Sequence, residues 1–97
     1  MKGTADPDGF TMKIVEMFRF EDGRTVIVGH VRGGPPFIRQ RPCELVIDGR
    51  VVQRLTLEGE MLPEKRISDD RRSVATFDDV QLTGEDLRSH DCSLRCT

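Results

Sequence analysis

Apolar and β-branched residues fall in short runs separated by turn chemistry, with side chains alternating in polarity along several of them. The first run is Lys13–Phe20, and it stops at Glu21-Asp22-Gly23-Arg24, where Gly23 can take a positive φ without steric cost. The second is Thr25–Val31. Its consecutive Val26, Ile27 and Val28 predict a strand covered on both sides, and Gly29 within it predicts a bulge or a barrel corner. Arg32-Gly33-Gly34-Pro35-Pro36 then breaks the chain, and residues 37–42 continue as loop or edge.

The third run, Cys43–Ile47, sets Cys43, Leu45 and Ile47 on one face. Asp48-Gly49 is a hairpin signal leading into Val51–Leu57, where Val51, Gln53, Leu55 and Leu57 share a face. A two-residue loop would pair Ile47 with Arg50 and point Arg50 and Arg54 at the core. A longer loop or a bulge that pairs Ile47 with Val51 keeps the apolar face continuous, and that register is expected. Residues 62–72 read as a polar loop. A fifth strand is expected within Ser73–Leu82, interrupted at Asp78-Asp79.

Thr83-Gly84-Glu85-Asp86 carries the Thr and Asp of a capping box and predicts one short helical turn. The alternating Cys92-Ser93-Leu94-Arg95-Cys96-Thr97 predicts a final strand. Six brief strands with no sustained helical period specify an all-β domain, a small closed or nearly closed antiparallel barrel. Closure removes exposed edges in so short a chain. Residues 1–11 are expected as a flexible lead and residues 12–97 as the single domain; 97 residues hold one core and no second lobe.

Charge alters this picture in one respect. The chain carries a net charge of −2, so it is not a generally basic nucleic-acid binder, and DNA is not an expected partner. The cations are concentrated in residues 32–72, whereas the stretch from Ser73 onward is acidic. No apolar run reaches the roughly 20 residues of a membrane helix, so no membrane role is expected. The opening residues lack an apolar signal-like core, and the three cysteines have no framework spacing. Both point to a cytoplasmic protein.

Candidate chemistry is sparse. His90, Cys92 and Cys96 suggest metal ligands, but along a strand the two cysteines lie about 13 Å apart, and they share a face with Leu94 as small buried hydrophobes do. Cys43 on a core face reads as an inert thiol, and His30 as a partly exposed barrel residue. The acids at 69–70, 78–79 and 85–86 have no cation-loop spacing. Gly33-Gly34-Pro35-Pro36 lacks the successive N–H donors of a phosphate cradle and reads as a rigid turn. Phe10, Phe18, Phe20, Phe37 and Phe77 read as core or rim residues. No catalytic residue, metal or cofactor is expected. The candidate binding residues are Arg32, Phe37, Arg39, Arg41 and Arg54, where an exposed Phe37 beside arginines would stack on a base or anchor a protein.

The stretch Ile14–Val31, IVEMFRFEDGRTVIVGHV, resembles the opening hairpin of the translation-protein β-barrel, the second domain of elongation factor Tu and related GTPases. Val15, Phe18 and Phe20, the turn at Gly23, Thr25-Val26, Gly29 and Val31 carry the resemblance. It departs at Arg41-Pro42-Cys43, where that family has a Gly-Asp step, and the chain has neither a P-loop nor a guanine-specificity motif. The resemblance implies a barrel that contacts RNA or a neighbouring protein domain, with no GTPase activity of its own. The expected function is a non-enzymatic binding module for a protein or ribonucleoprotein partner. Two alternatives are a self-associating module using Phe37 and open strand edges, and a small metal-dependent enzyme built on His90, Cys92 and Cys96.

Overall fold

In the computed structural model, which describes residues 9–33, 37–61 and 71–96, six antiparallel strands close into a barrel. They are β1 (Phe10–Arg19), β2 (Thr25–Gly33), β3 (Arg41–Ile47), β4 (Arg50–Met61), β5 (Arg71–Thr76) and β6 (Cys92–Cys96), with a short helix α1 (Gly84–Ser89) before the last strand. Their order around the ring is β1-β2-β5-β4-β3-β6, and β6 closes it by pairing with both β1 and β3. Every strand therefore has two partners, and the open edges that self-association would have used do not exist in the described sheet. The expected rigid turn at Gly34-Pro35-Pro36 and most of the expected 62–72 loop, residues 62–70, lie outside the described residues, as do residues 1–8. β1 begins at Phe10, inside the segment expected as a lead.

Alternation places Phe10, Met12 and Ile14 of β1 in the core with Ile27, Leu45, Leu55, Leu57, Val74 and Leu94 from the other strands. Three bulges bend the ring. Val15 is extra in β1, Val52 in β4 opposite β3, and Glu58 in β4 opposite β5, beside Gly59 at φ 144°. The Val52 bulge corrects the expected hairpin register. Asp48 and Gly49, at φ 51° and 83°, form a two-residue turn, so Ile47 does pair with Arg50. The bulge then restores the apolar face by pairing Leu45 with Gln53 and Cys43 with Leu55. Val51 and Val52 are consequently exposed, not internal.

Gly29 sits opposite Ile14, one residue from the β1 bulge, and fulfils the expected barrel corner. A Cβ there would lie 2.1 Å from the Lys13 carbonyl oxygen and 2.8 Å from the Met12 side chain. Only hydrogen lets the strands approach so closely.

Each barrel end is covered by a crossing connection. At one end Ile38 is fully buried, and it exchanges backbone hydrogen bonds with Glu60 and its carboxylate. That carboxylate also receives Arg72 Nε at 2.9 Å, in a largely buried ion pair. At the other end the chain leaves β5 where Asp78 accepts the Thr56 N–H at 2.6 Å, which is why the fifth strand stops at the expected Asp78-Asp79 break. The Gln53 side chain donates to the Asp79 carbonyl and accepts from Gln81 N–H, and Val80 and Leu82 close the core beneath. The expected Thr83–Asp86 capping box then starts α1.

Cys43 and Cys96 stand directly opposite each other on β3 and β6 and form a disulfide across 53 residues. This corrects the reading of both as separate buried thiols; the β3–β6 pairing that unites them is non-local and leaves no trace in their spacing.

Two outcomes are expected. Gly29→Ala lowers the unfolding free energy by about 1–3 kcal/mol through forced backbone displacement, measured by urea denaturation. Reduction of the disulfide, or Cys43→Ala with Cys96→Ala, costs roughly 4 kcal/mol by releasing a long closed loop in the unfolded chain, measured the same way with and without reductant.

Candidate functional site

The pairing registers assemble a polar cluster on the outer surface. Glu44 of β3 pairs with Arg95 of β6 on one side and Arg54 of β4 on the other, and all three alternate outward from Cys43, Cys96 and Leu55. Arg95 donates to Glu44 Oε1 from Nε at 3.0 Å and from Nη2 at 2.7 Å. Arg54 approaches the other carboxylate oxygen at 3.9 Å, with its side chain 86% exposed. One carboxylate is thus shared by two guanidinium groups, and the cluster keeps a surplus positive charge. Pro42, Cys43, Glu44, Arg54 and Arg95 line an open depression of about 310 Å³.

Of the sequence candidates, Arg54 belongs to this cluster. Arg32 lies on the same register row, reached from Arg95 through Thr11 of β1. That is two strand spacings, roughly 10 Å, further around the curved wall. Phe37 is exposed next to exposed Arg39, and the buried Ile38 between them fixes that loop over the barrel end. Arg41 lies at the start of β3, on the same face as Cys43. Its guanidinium lies 5.5 Å from the Phe10 ring centre and its Nε is buried, so it helps to cover the barrel end. The register brings Arg54 together with Glu44 and Arg95 and sets Arg32 on the same row. Arg95 escaped the sequence reading because its place beside Arg54 depends on β6 inserting next to β3.

Charge is segregated along the barrel axis. The end at which β1 begins carries Arg32, Arg39, Arg71 and Arg95 besides the Arg72–Glu60 pair, with Glu58 as its other acid, while Glu44 and Arg54 lie midway along β3 and β4. The opposite end carries Glu21, Asp22, Asp48, Asp78, Asp79, Glu85, Asp86 and Asp91, against Arg19, Arg24, Arg50, Arg88 and the Lys13 paired with Asp91.

At the acidic end, the Asp48 carboxylate accepts the Asp91 N–H at 2.9 Å and contacts His90 Nδ1 at 2.6 Å. The Asp91 N–H and then His90 hold its pKa below the usual carboxylate range. The Thr83 backbone N–H and then its side chain do the same for Asp86. Asp91 in turn pairs with Lys13 and raises the lysine pKa. Cys92, the free cysteine, is buried against the Asp86 and His90 carbonyls, and burial pushes its thiol pKa up, away from a reactive thiolate. The Cys96 sulfur is bonded to Cys43, so the His90, Cys92 and Cys96 set loses a ligand. Among the described residues no three His, Cys, Asp or Glu side chains are placed to hold a metal ion, and no helix is long and apolar enough to cross a membrane.

No protein-family model, curated protein or solved structure matches this chain. The likeness to the translation barrel rests on Ile14–Val31.

The depressed carboxylates set the direction of the acid response. A carboxylate whose folded pKa lies below its unfolded value stabilises the fold above the unfolded pKa, and that contribution is lost as pH falls through the folded one. The thermal midpoint is expected to fall as pH drops below about 4. Asp48→Asn and Asp86→Asn should each make that fall shallower while lowering the midpoint at neutral pH, measured by circular dichroism melts across the acid range.

Proposed function

We propose that this chain is a non-enzymatic binding module whose basic end contacts the phosphate groups of RNA, alone or within a ribonucleoprotein. The observation that carries the reading is the pairing of Arg54 and Arg95 on a single Glu44 over an open depression, on the wall that leads to the end where arginines outnumber acids. Guanidinium groups not fully neutralised by their own protein are the preferred donors to phosphate. Exposed Phe37 beside Arg39 adds a flat apolar surface on which a base can stack. The Ile14–Val31 resemblance supports the same partner class. An overall charge of −2 is compatible with this because the acids gather at the far end.

The cytoplasm is the compartment proposed from the sequence. The Cys43–Cys96 disulfide weighs against it, since such bonds persist in oxidising surroundings.

The test is fluorescence anisotropy with a labelled single-stranded RNA of about 20 nucleotides, at several salt concentrations between about 20 and 200 mM. Binding at low salt that weakens with added salt is expected. Arg54→Ala with Arg95→Ala should flatten the log–log salt slope by about 1.4 and weaken low-salt binding by roughly tenfold or more. Absence of binding at the lowest salt overturns the reading.

A further inference from the structure

A second surface lies at the acidic end and is aromatic. Phe18, Phe20 and Phe77 are 49%, 47% and 57% exposed, although the chain has only five aromatic residues. The registers bring the three together. Phe18 pairs with Val26, which pairs with Ala75, so one outward row crosses β1, β2 and β5. The next outward positions are Phe20, whose N–H donates to the Arg24 carbonyl at 2.8 Å, Arg24 itself, and Phe77, one residue beyond the Thr25–Thr76 pair. Val26 and Ala75 are buried in this row, across which the Arg24 side chain reaches Met61 Sδ at 4.0 Å. Three exposed rings set close together around one arginine, within charged margins, mark an interaction site on a small domain.

The margins define the occupant. Glu16, Glu21, Asp22, Asp78 and Asp79 neighbour the three rings in the chain and outnumber Arg19 and Arg24, which pair with Asp79 and Asp22. The nearby cations are already engaged: Arg19 donates to the Val80 and Leu82 carbonyls at 2.7 and 3.1 Å and faces Asp79 at 3.5 Å. Arg24 is held by Asp22 and lies 5.0 Å from the Phe20 ring centre. That last contact shows a ring of this patch accepting a cation. A second copy docked face to face would oppose acidic margin to acidic margin. A copy docked by its basic end would join copies head to tail, into a ring or an open array rather than a closed pair. Strand addition has no edge to use.

We propose that Phe18, Phe20 and Phe77 form a docking surface for a protein segment that presents aliphatic side chains flanked by lysine or arginine. The aliphatic groups cover the ring edges, while the cations meet the carboxylate margin and the faces of Phe18 and Phe77. This surface is independent of the RNA reading, since it uses other strands' outer positions and the opposite end of the barrel.

The test is a titration of the full chain, followed by NMR, with a synthetic peptide of alternating valine and lysine and a matched one of alternating valine and glutamate. The lysine peptide is expected to shift the ring signals of Phe18, Phe20 and Phe77 with an affinity tighter than about 1 mM. The glutamate peptide is expected to leave them in place. Phe20→Ser with Phe77→Ser should abolish the shifts while the core amide signals keep their dispersion. Absence of shifts at these rings, equal shifts with both peptides, or shifts confined to the arginine-rich end each overturns the proposal. So does sedimentation that shows concentration-dependent self-association abolished by the same two substitutions, which would identify the occupant as a second copy.

Discussion

Closure of the sheet by β6 is the constraint on which the rest depends. This strand of five residues, Cys92–Cys96, has to lie between β1 and β3 and satisfy the hydrogen bonds of both. Its Cys92, Leu94 and Cys96 point inward to fill the core, and its Ser93 and Arg95 point outward. Without it, two strand edges would face water, and the core would be open along Met12 and Leu45. The disulfide to Cys43 fastens that closing strand covalently to a neighbour far away in the chain. Pairings of such sequence separation are entropically costly to form, and a covalent tie removes much of that cost once made.

Six strands must also curve tightly, and the chain meets that demand locally. Bulges at Val15, Val52 and Glu58 each change the in–out parity of one strand. A glycine at the β1–β2 corner then lets two backbones touch. Both open ends are closed by side chains of the crossing connections, Ile38 at one and Val80 with Leu82 at the other. These plugs are held by polar contacts that would otherwise be unmade, Glu60 with Ile38 N–H and the Gln53 amide with residues 79–81.

The same geometry distributes charge and aromatic surface. Outward positions on β3, β4 and β6 bring Glu44, Arg54 and Arg95 together, whereas those on β1, β2 and β5 carry the three exposed phenylalanines. The barrel thus offers two surfaces of opposite character at its two ends. One is rich in arginine; the other carries three exposed phenylalanines within an acidic margin. Both are made of outward residues whose exposure contributes nothing to the core.

The sequence by itself determined the class of fold, because alternation and turn chemistry are local. The strand runs, the Gly23 and Asp48-Gly49 turns, the Thr83–Asp86 cap, the corner at Gly29 and the break at Asp78 are all readable from neighbouring residues. What only the tertiary structure decided was everything set by pairing between distant segments. The position of the bulge after Asp48-Gly49, the Cys43–Cys96 bond, the inward turn of Arg41 and the meeting of Arg95 with Arg54 around Glu44 all follow from which strand lies beside which. Phe18, Phe20 and Phe77 show the same limit: their apolar character suggested core or rim, and parity beyond the Val15 bulge placed Phe18 and Phe20 outside. A residue's own chemistry fixes its preference for burial, but the register of its strand decides which side of the wall it occupies.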